Sequence, residues 1–444
     1  MLIPPHPIGI SRRELLQVGY SGLAGLGLAG ALRADSRSQK QSPKSVIVVF
    51  LTGAMSHVDT FDPKPDAVAE VRGQYGAINT KVPGYVMGEL LPKLANRADK
   101  FAVVRSLAHA DNNHTAATHH IITGAKQPGV RFDKPLSRDD WPVFSAGLSF
   151  LKPRHDGVPT GVALPTFLAE GPLVWPGQHA GFLGPKHDPW QLRSDPNSRD
   201  FKVDNLVAGM DVEHLNERMS LLDGVNRQQR VLAESLDGRR LSEQQAKAAS
   251  ILTSGKVAKA FDIAQESSAT RDRYGRHMFG QSLLLARRLV EAGVSVVQAN
   301  MGRVQHWDHH GDIFPALKKN VPPLDTAVAA LLDDLGASGL LNDTLVVMIG
   351  DFGRTPKVVG NGRDHWAPCF SALFAGAGVQ GGKIIGKSDK IGGYPITPAY
   401  SPDDVGATIY KTLGLDPHSE VRDRLDRPVQ LNRGEPMDVL FNGQ

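Results

Sequence analysis

The chain has 444 residues, 41% hydrophobic and 22% charged, with 46 Gly and 30 Pro, which excludes wholesale disorder and suits one large domain or two ordinary ones. Lys and Arg number 50 against 46 acids, and a net charge of +4 on this length does not indicate a nucleic-acid binder. The single cysteine, Cys369, excludes a disulfide framework and a cysteine-based zinc site, whereas the 16 histidines fall largely in short clusters.

The chain opens with an address. Ser11-Arg12-Arg13-Glu14-Leu15-Leu16 is a twin-arginine pattern. A weakly apolar stretch rich in Gly and Ala follows from Val18 to Leu32, too short to span a membrane comfortably, and then small residues suited to cleavage up to Ala34. This pattern predicts a signal peptide over 1–34 read by the Tat export machinery, which carries folded proteins, and a polar linker over 35–44. The mature protein is then periplasmic or extracellular, with no stable membrane span. A domain of this size needs no disulfides to be stable outside the cytosol.

Ser45-Val-Ile-Val-Val-Phe-Leu51 is a β-branched apolar run of the kind that forms a buried parallel strand. Similar runs recur at Phe101 to Arg105, Val162 to Leu168, Val294 to Ala299, Thr344 to Ile349 and Phe370 to Ala375. Helical patterns lie between several of them. Gln281 to Glu291 is amphipathic and closed by Gly293, and Pro323 to Leu335 repeats apolar residues at helical spacing. Ser401-Pro-Asp-Asp404 reads as an N-cap opening a helix to Leu413. From about 204 to 268 the strand signal fades into Gln, Ala, Leu, Arg and Glu, which predicts a helical insertion. Strands alternating with helices give an α/β fold with a mostly parallel central sheet flanked by helices, in one domain over 45–444.

In open sheets of this class, ligands bind beyond the carboxyl ends of the strands. Four such ends carry Asp and His together: His57 and Asp59; His109, Asp111, Asn113, His114, Thr115, His119 and His120; His306, Asp308, His309, His310 and Asp312; and Asp351, Arg354, Asp364 and His365. A lone histidine there would most simply be hydrogen-bonded loop polarity, but four clusters on one edge point to a metal site. Mixed imidazole and carboxylate ligands suit a divalent metal, zinc ahead of Mn, Ca or Mg, and an open coordination position activates water or polarises an ester. Arg354 is a candidate for binding an anionic oxygen, because a guanidinium fork fits phosphate and sulfate. Asn112-Asn113 also stands where a helix N-cap is needed.

The segments Met55-Ser-His-Val-Asp-Thr-Phe-Asp-Pro-Lys-Pro65, Trp175-Pro-Gly-Gln-His-Ala-Gly-Phe-Leu-Gly-Pro185, Trp307-Asp-His-His310, Gly350-Asp-Phe-Gly-Arg-Thr-Pro356 and Gly362-Arg-Asp-His-Trp366 resemble a bacterial family of exported, sulfatase-like proteins, the domain-of-unknown-function family numbered fifteen-oh-one. The resemblance covers nearly the whole chain after the signal and implies a fold of the alkaline phosphatase and sulfatase type. It does not supply a reaction.

Set against that superfamily, Asp308, His310, Asp351 and His365 match metal-ligand positions, and Asp59 with His57 would complete or orient the site. Phe352 stands where the superfamily has a His after the Asp. No Cys or Ser formylglycine motif is present, which argues against a formylglycine sulfatase. Counting back from Ile122-Thr123-Gly124, the nucleophile position falls on His114, beside Thr115. Three roles stay open there. Thr115 could be a metal-activated nucleophile. His114 could attack or act as general acid. Both could instead stand behind ligands of a metal that activates water. His309, Asn113 and Arg354 would face the substrate.

The resulting expectation is metal-dependent hydrolysis of an anionic phosphate or sulfate ester, with a sulfated or phosphorylated carbohydrate as substrate. The alternative is a non-catalytic carbohydrate- or metal-binding cell-surface protein with a degenerate hydrolase fold.

Overall fold

The computed structural model describes residues 44–128, 135–201 and 255–441. The expected signal peptide, all of the expected linker except Lys44, and residues 204–254 of the expected helical insertion lie outside the described residues. The remainder of that insertion holds a helix, Gly255–Phe261, and a short turn, Ile263–Gln265.

Eight strands build one sheet: β1 (Ser45–Leu51), β2 (Phe101–Leu107), β3 (Gly161–Leu164), β4 (Trp190–Gln191), β5 (Val296–Asn300), β6 (Thr344–Gly350), β7 (Phe370–Ala375) and β8 (Ile384–Ile385). Their spatial order is β8-β2-β7-β6-β1-β5-β3-β4. β1 lies between β6 and β5, parallel to both, with Val46 opposite Leu345 and Val296. Only β7 runs against the rest, antiparallel to β6 and to β2. The α/β class and the mostly parallel sheet are those that the alternation of apolar runs and helical patterns implies.

Period-two alternation divides each central strand between two cores. Ile47, Val49 and Leu51 join one cluster, and Val46, Val48 and Phe50 join the other. Every residue of β1 is buried, so the run is apolar on both faces and not alternating. Helices α3 (Met278–Glu291) and α4 (Ile313–Ala337) cover the first face. Helices α1 (His114–Thr123), α2 (Phe144–Leu151) and α5 (Pro402–Thr412) belong to the second. α5 opens with the expected cap: Ser401 accepts from the Asp404 amide, and the Asp404 carboxylate accepts from the Ser401 amide in return.

Several boundaries differ from the sequence expectation, three of them for identifiable reasons. α4 begins ten residues before Pro323 and runs through Pro322 and Pro323. The buried face of Ile313, Phe314, Leu317, Val321 and Leu324 outweighs the hydrogen bonds that the prolines remove. β3 ends at Leu164, where Pro165 offers no amide to the ladder. β2 extends to Leu107, paired with Phe370.

The carboxyl ends of β1, β2, β5 and β6 share one edge, and the antiparallel β7 starts there. The chain just before β7 is therefore carried to the same edge as the loops that leave the other strands. Among the described residues, no helix is long and apolar enough to cross a membrane.

Phe50 is fully buried in the second core. Phe50→Ala is expected to lower the unfolding free energy by about 3–5 kcal/mol, read as a fall in the denaturant midpoint at unchanged slope.

Candidate metal centre

Asp308 lies in the loop after β5, and three histidines from three other chain positions converge on its carboxylate. Oδ2 lies 3.2 Å from His114 Nε2. Oδ1 lies 3.0 Å from His310 Nε2 and 3.3 Å from His365 Nε2. The Nε2 atoms of His310 and His365 are themselves 3.0 Å apart.

Each ring is held from behind by its Nδ1. His114 Nδ1 is 2.5 Å from Asp351 Oδ2, His310 Nδ1 is 2.6 Å from Asp364 Oδ1, and His365 Nδ1 is 2.7 Å from the Asn112 carbonyl. All three partners accept and cannot donate, so the proton of each neutral ring sits on Nδ1. The three Nε2 lone pairs then face one carboxylate. His114 Nε2 is buried without a hydrogen-bond partner, and Asp308 Oδ1 is paired with the Arg354 guanidinium. Such a concentration of acceptors is unfavourable unless a cation stands among them.

Local structure explains each position. His114 is the first residue of α1, whose cap Asn113 accepts from the amides of Thr115 and Ala116. His365 and Trp366 pair antiparallel with Gly353 and Arg354, which sets Arg354 directly opposite His365. Asn112 fixes that segment twice, through its carbonyl to His365 and its side-chain oxygen to the Ala367 amide at 2.7 Å. A side chain at Gly362 would place its Cβ 2.0 Å from the His310 carbonyl, so only glycine lets this loop bring Asp364 to His310. At Gly53 (φ +97°) a Cβ would meet the Gln305 backbone at 2.7 Å, so glycine also allows the β1 loop to lie against the Asp308 loop.

The remaining expected residues are placed as follows. Arg354 is wholly buried. It bonds Asp308 Oδ1 at 2.5 Å and donates to the carbonyls of Gly53 and Ala54, so it clamps the centre from inside and does not present its fork to solvent. Asp59 receives the guanidinium of Arg363 on both oxygens, at 2.8 and 3.1 Å, and His57 lies 2.8 Å from the Gly392 carbonyl. Neither is brought into the Asp308 group; through Arg363, Asp59 anchors the loop that carries Asp364 and His365.

The Thr115 hydroxyl is buried and donates to Asn113 Oδ1 at 2.6 Å. His309 is pushed down to about 4 by burial and by the charges of Arg354 and His306, and its Nε2 is buried without a hydrogen-bond partner. Cys369 is a buried core residue whose thiol is pushed up to about 12 by burial. Phe352 packs near-parallel to His114, with ring centroids 4.7 Å apart, and Trp175 does the same at 5.8 Å. Arg363 and the wall formed by Phe352 and Trp175 were not foreseeable as site residues. The one signal for Arg363 is that Asp59, inside an apolar segment, requires a buried cation.

Electrostatics follow from this crowding. Burial opposes charge on Asp308, but its neighbours His114 and His365 and the Arg354 guanidinium outweigh that and hold the carboxyl well below its usual range. Burial likewise opposes an imidazolium at His114, yet the charges of Asp351 and Asp308 prevail and push it up to about 9. Without a cation in the centre, His114 carries the compensating proton.

Residues 43–441 match the model of the family described as a protein of unknown function, DUF1501, and the chain belongs to that family. Among curated proteins, none matches it. Solved structures similar to it include the sulfatase PsFucS1 from Pseudoalteromonas sp., at 13% identity over 98% of this chain and 77% of that one, with a TM-score of 0.41. A protein in the alkaline phosphatase superfamily from Vibrio parahaemolyticus is 12% identical over 85% and 68%, with a TM-score of 0.39. A phosphonate monoester hydrolase from Silicibacter pomeroyi is 12% identical over 90% and 77%, with a TM-score of 0.38.

Because the folded-state pKa of His114 is raised from 6.5 to about 9, its contribution to stability in metal-stripped protein is complete below about pH 6.5 and is lost as pH rises through about 9. Denaturant midpoints measured across that window should fall with pH in the wild type, and the fall should be smaller in His114→Gln.

Proposed function

We propose that this chain is an exported metal-dependent hydrolase of phosphate or sulfate esters. The observation that carries the reading is the convergence of three imidazole Nε2 atoms on the Asp308 carboxylate, each ring fixed by an oxygen behind it. Oxygen acceptors behind the rings are the usual support of metal-bound histidines, since they set the tautomer and raise the basicity of the ligating nitrogen. Asp308, His114, His310 and His365 would hold the ion. Zinc fits three nitrogens and one carboxylate better than Mg or Ca, which prefer oxygen. When bound, such an ion supplies Lewis acidity toward an anionic ester oxygen and toward water.

The chain's own residues divide the remaining work. Asp351, Asp364 and the Asn112 carbonyl orient the three rings. Arg354 keeps Asp308 in place and partly neutralises it. His310, whose side chain is half exposed, marks the side from which a substrate reaches the centre. Asn113 and Thr115 satisfy each other at the start of α1, which favours His114 as a ligand over Thr115 as the attacking group. The substrate proposed is an anionic ester on a polysaccharide. The Ser11-Arg-Arg-Glu-Leu-Leu16 segment would direct export of the folded, metal-loaded protein by the twin-arginine route.

Metal analysis of the full chain should find one transition-metal equivalent that His365→Ala loses, together with hydrolysis of an aryl phosphate or aryl sulfate that depends on that equivalent. Asp364→Ala, which removes only the support of His310, should weaken metal affinity roughly 10–100-fold, with activity recovered by excess metal. A wild type that binds no metal after reconstitution would end the hydrolase reading, and one that binds metal but turns over no ester would favour a binding protein. Replacing Arg12 and Arg13 by Lys should retain the protein in the cytoplasm, measured by cell fractionation.

A further inference from the structure

The loop after β2 and the adjoining turn of α1 hold a second set of ligating side chains that the reading above leaves unused. We infer that His109, Asp111 and His120 form a second divalent-metal site, separate from the Asp308 centre, for an ion of the zinc or cobalt type. A ligand atom from each of the three lies within 4.8 Å of those of the other two, so small side-chain rotations bring them to coordination distance.

His120 carries the strongest evidence. It is 1% exposed, and its Nε2 lies 2.6 Å from Asp403 Oδ2 at the start of α5. That carboxylate only accepts, so the proton of the neutral ring is on Nε2 and the lone pair on Nδ1. His120 Nδ1 is buried with no hydrogen-bond partner. An unmatched buried acceptor is unfavourable, and a cation placed on it removes that penalty. Asp403 backs the ring in the way that carboxylates back metal-bound imidazoles.

His109 differs in that its free-side nitrogen already accepts a backbone hydrogen bond, which an entering ion would displace. Its Nε2 lies 2.7 Å from the Asp351 carbonyl, which leaves the lone pair on Nδ1, where its contact is the Asp111 amide at 3.1 Å. The His109 and His120 rings meet edge to face, with centroids 5.7 Å apart. Asp111 is partly exposed and adds the negative charge and the solvent access that an entering ion needs. Two imidazoles and one carboxylate leave coordination positions for water. The set shares no ligand with the first centre. It adjoins that centre through Asp351, whose carbonyl holds His109 and whose carboxylate holds His114, and through Phe352, which packs against both rings.

The test is titration of the chelator-treated full chain with zinc by calorimetry, and with cobalt(II) by its visible absorption. The wild type is expected to take up two equivalents. Asp111→Ala and His120→Gln should each take up one, whereas His365→Ala should keep the equivalent that these two lose. Asp403→Asn should weaken the second equivalent roughly 10–100-fold without affecting the first. Asp111 is a loop residue, so its variant decides the matter, with folding checked by circular dichroism, even where His120→Gln fails to fold. An uptake that Asp111→Ala leaves unchanged would overturn the proposal. A wild type that binds one equivalent, lost in Asp111→Ala but kept in His365→Ala, would support it while overturning the reading of the Asp308 centre.

Discussion

Three ring nitrogens and a guanidinium press on the single carboxylate of Asp308, and much of the surrounding structure serves to hold them there. A carboxylate surrounded this way would ordinarily be solvated. Here burial removes most of the water, so each partner must be fixed by another bond. Arg354 is tied to the β1 loop, His114 to Asp351, His310 to Asp364 and His365 to the Asn112 carbonyl. The Asp59–Arg363 pair then fastens the loop carrying two of these groups. Removing one partner of such a buried pair is far more damaging than the net value of the pair suggests, because the other charge is left unpaired.

The sheet makes this possible by geometry. Parallel strands deliver their following loops to one edge, so β1, β2, β5 and β6 each send a loop there. β7 reverses direction and begins where the others end, which adds the His365 segment to the same edge. The two cores beneath are continuous and apolar, and they leave the rigidity of the strand ends to position side chains that no local interaction could hold.

Much of this was legible before any coordinates. The β-branched runs marked six of the eight strands of the sheet, because a strand buried on both faces must be apolar throughout. The two strands it missed, Trp190–Gln191 and Ile384–Ile385, are two-residue edge strands with too little buried surface to leave a pattern. The clusters of Asp and His after strands were visible because polar residues at those points have no packing role to explain them. The start of α4 was not visible, since Pro322 and Pro323 are local signals against a helix that only tertiary burial overrides. Arg354 looked like an anion-binding fork, and nothing in its neighbours disclosed that it would be entirely enclosed.

Composition, patterning and spacing by themselves determined the α/β class, the placement of the Asp and His clusters at the strand ends and the exclusion of cysteine-based metal sites and disulfides, since these rest on hydrophobic periodicity and on the residue types present. The tertiary structure alone decided which histidines meet, which acids support them and which arginine is a clamp. His114 and His365 are separated by most of the chain, yet their rings lie 4.3 Å apart. Their meeting depends on strand order and on the reversal of β7, and pairing across a sheet is set by long-range packing that no local window of sequence contains.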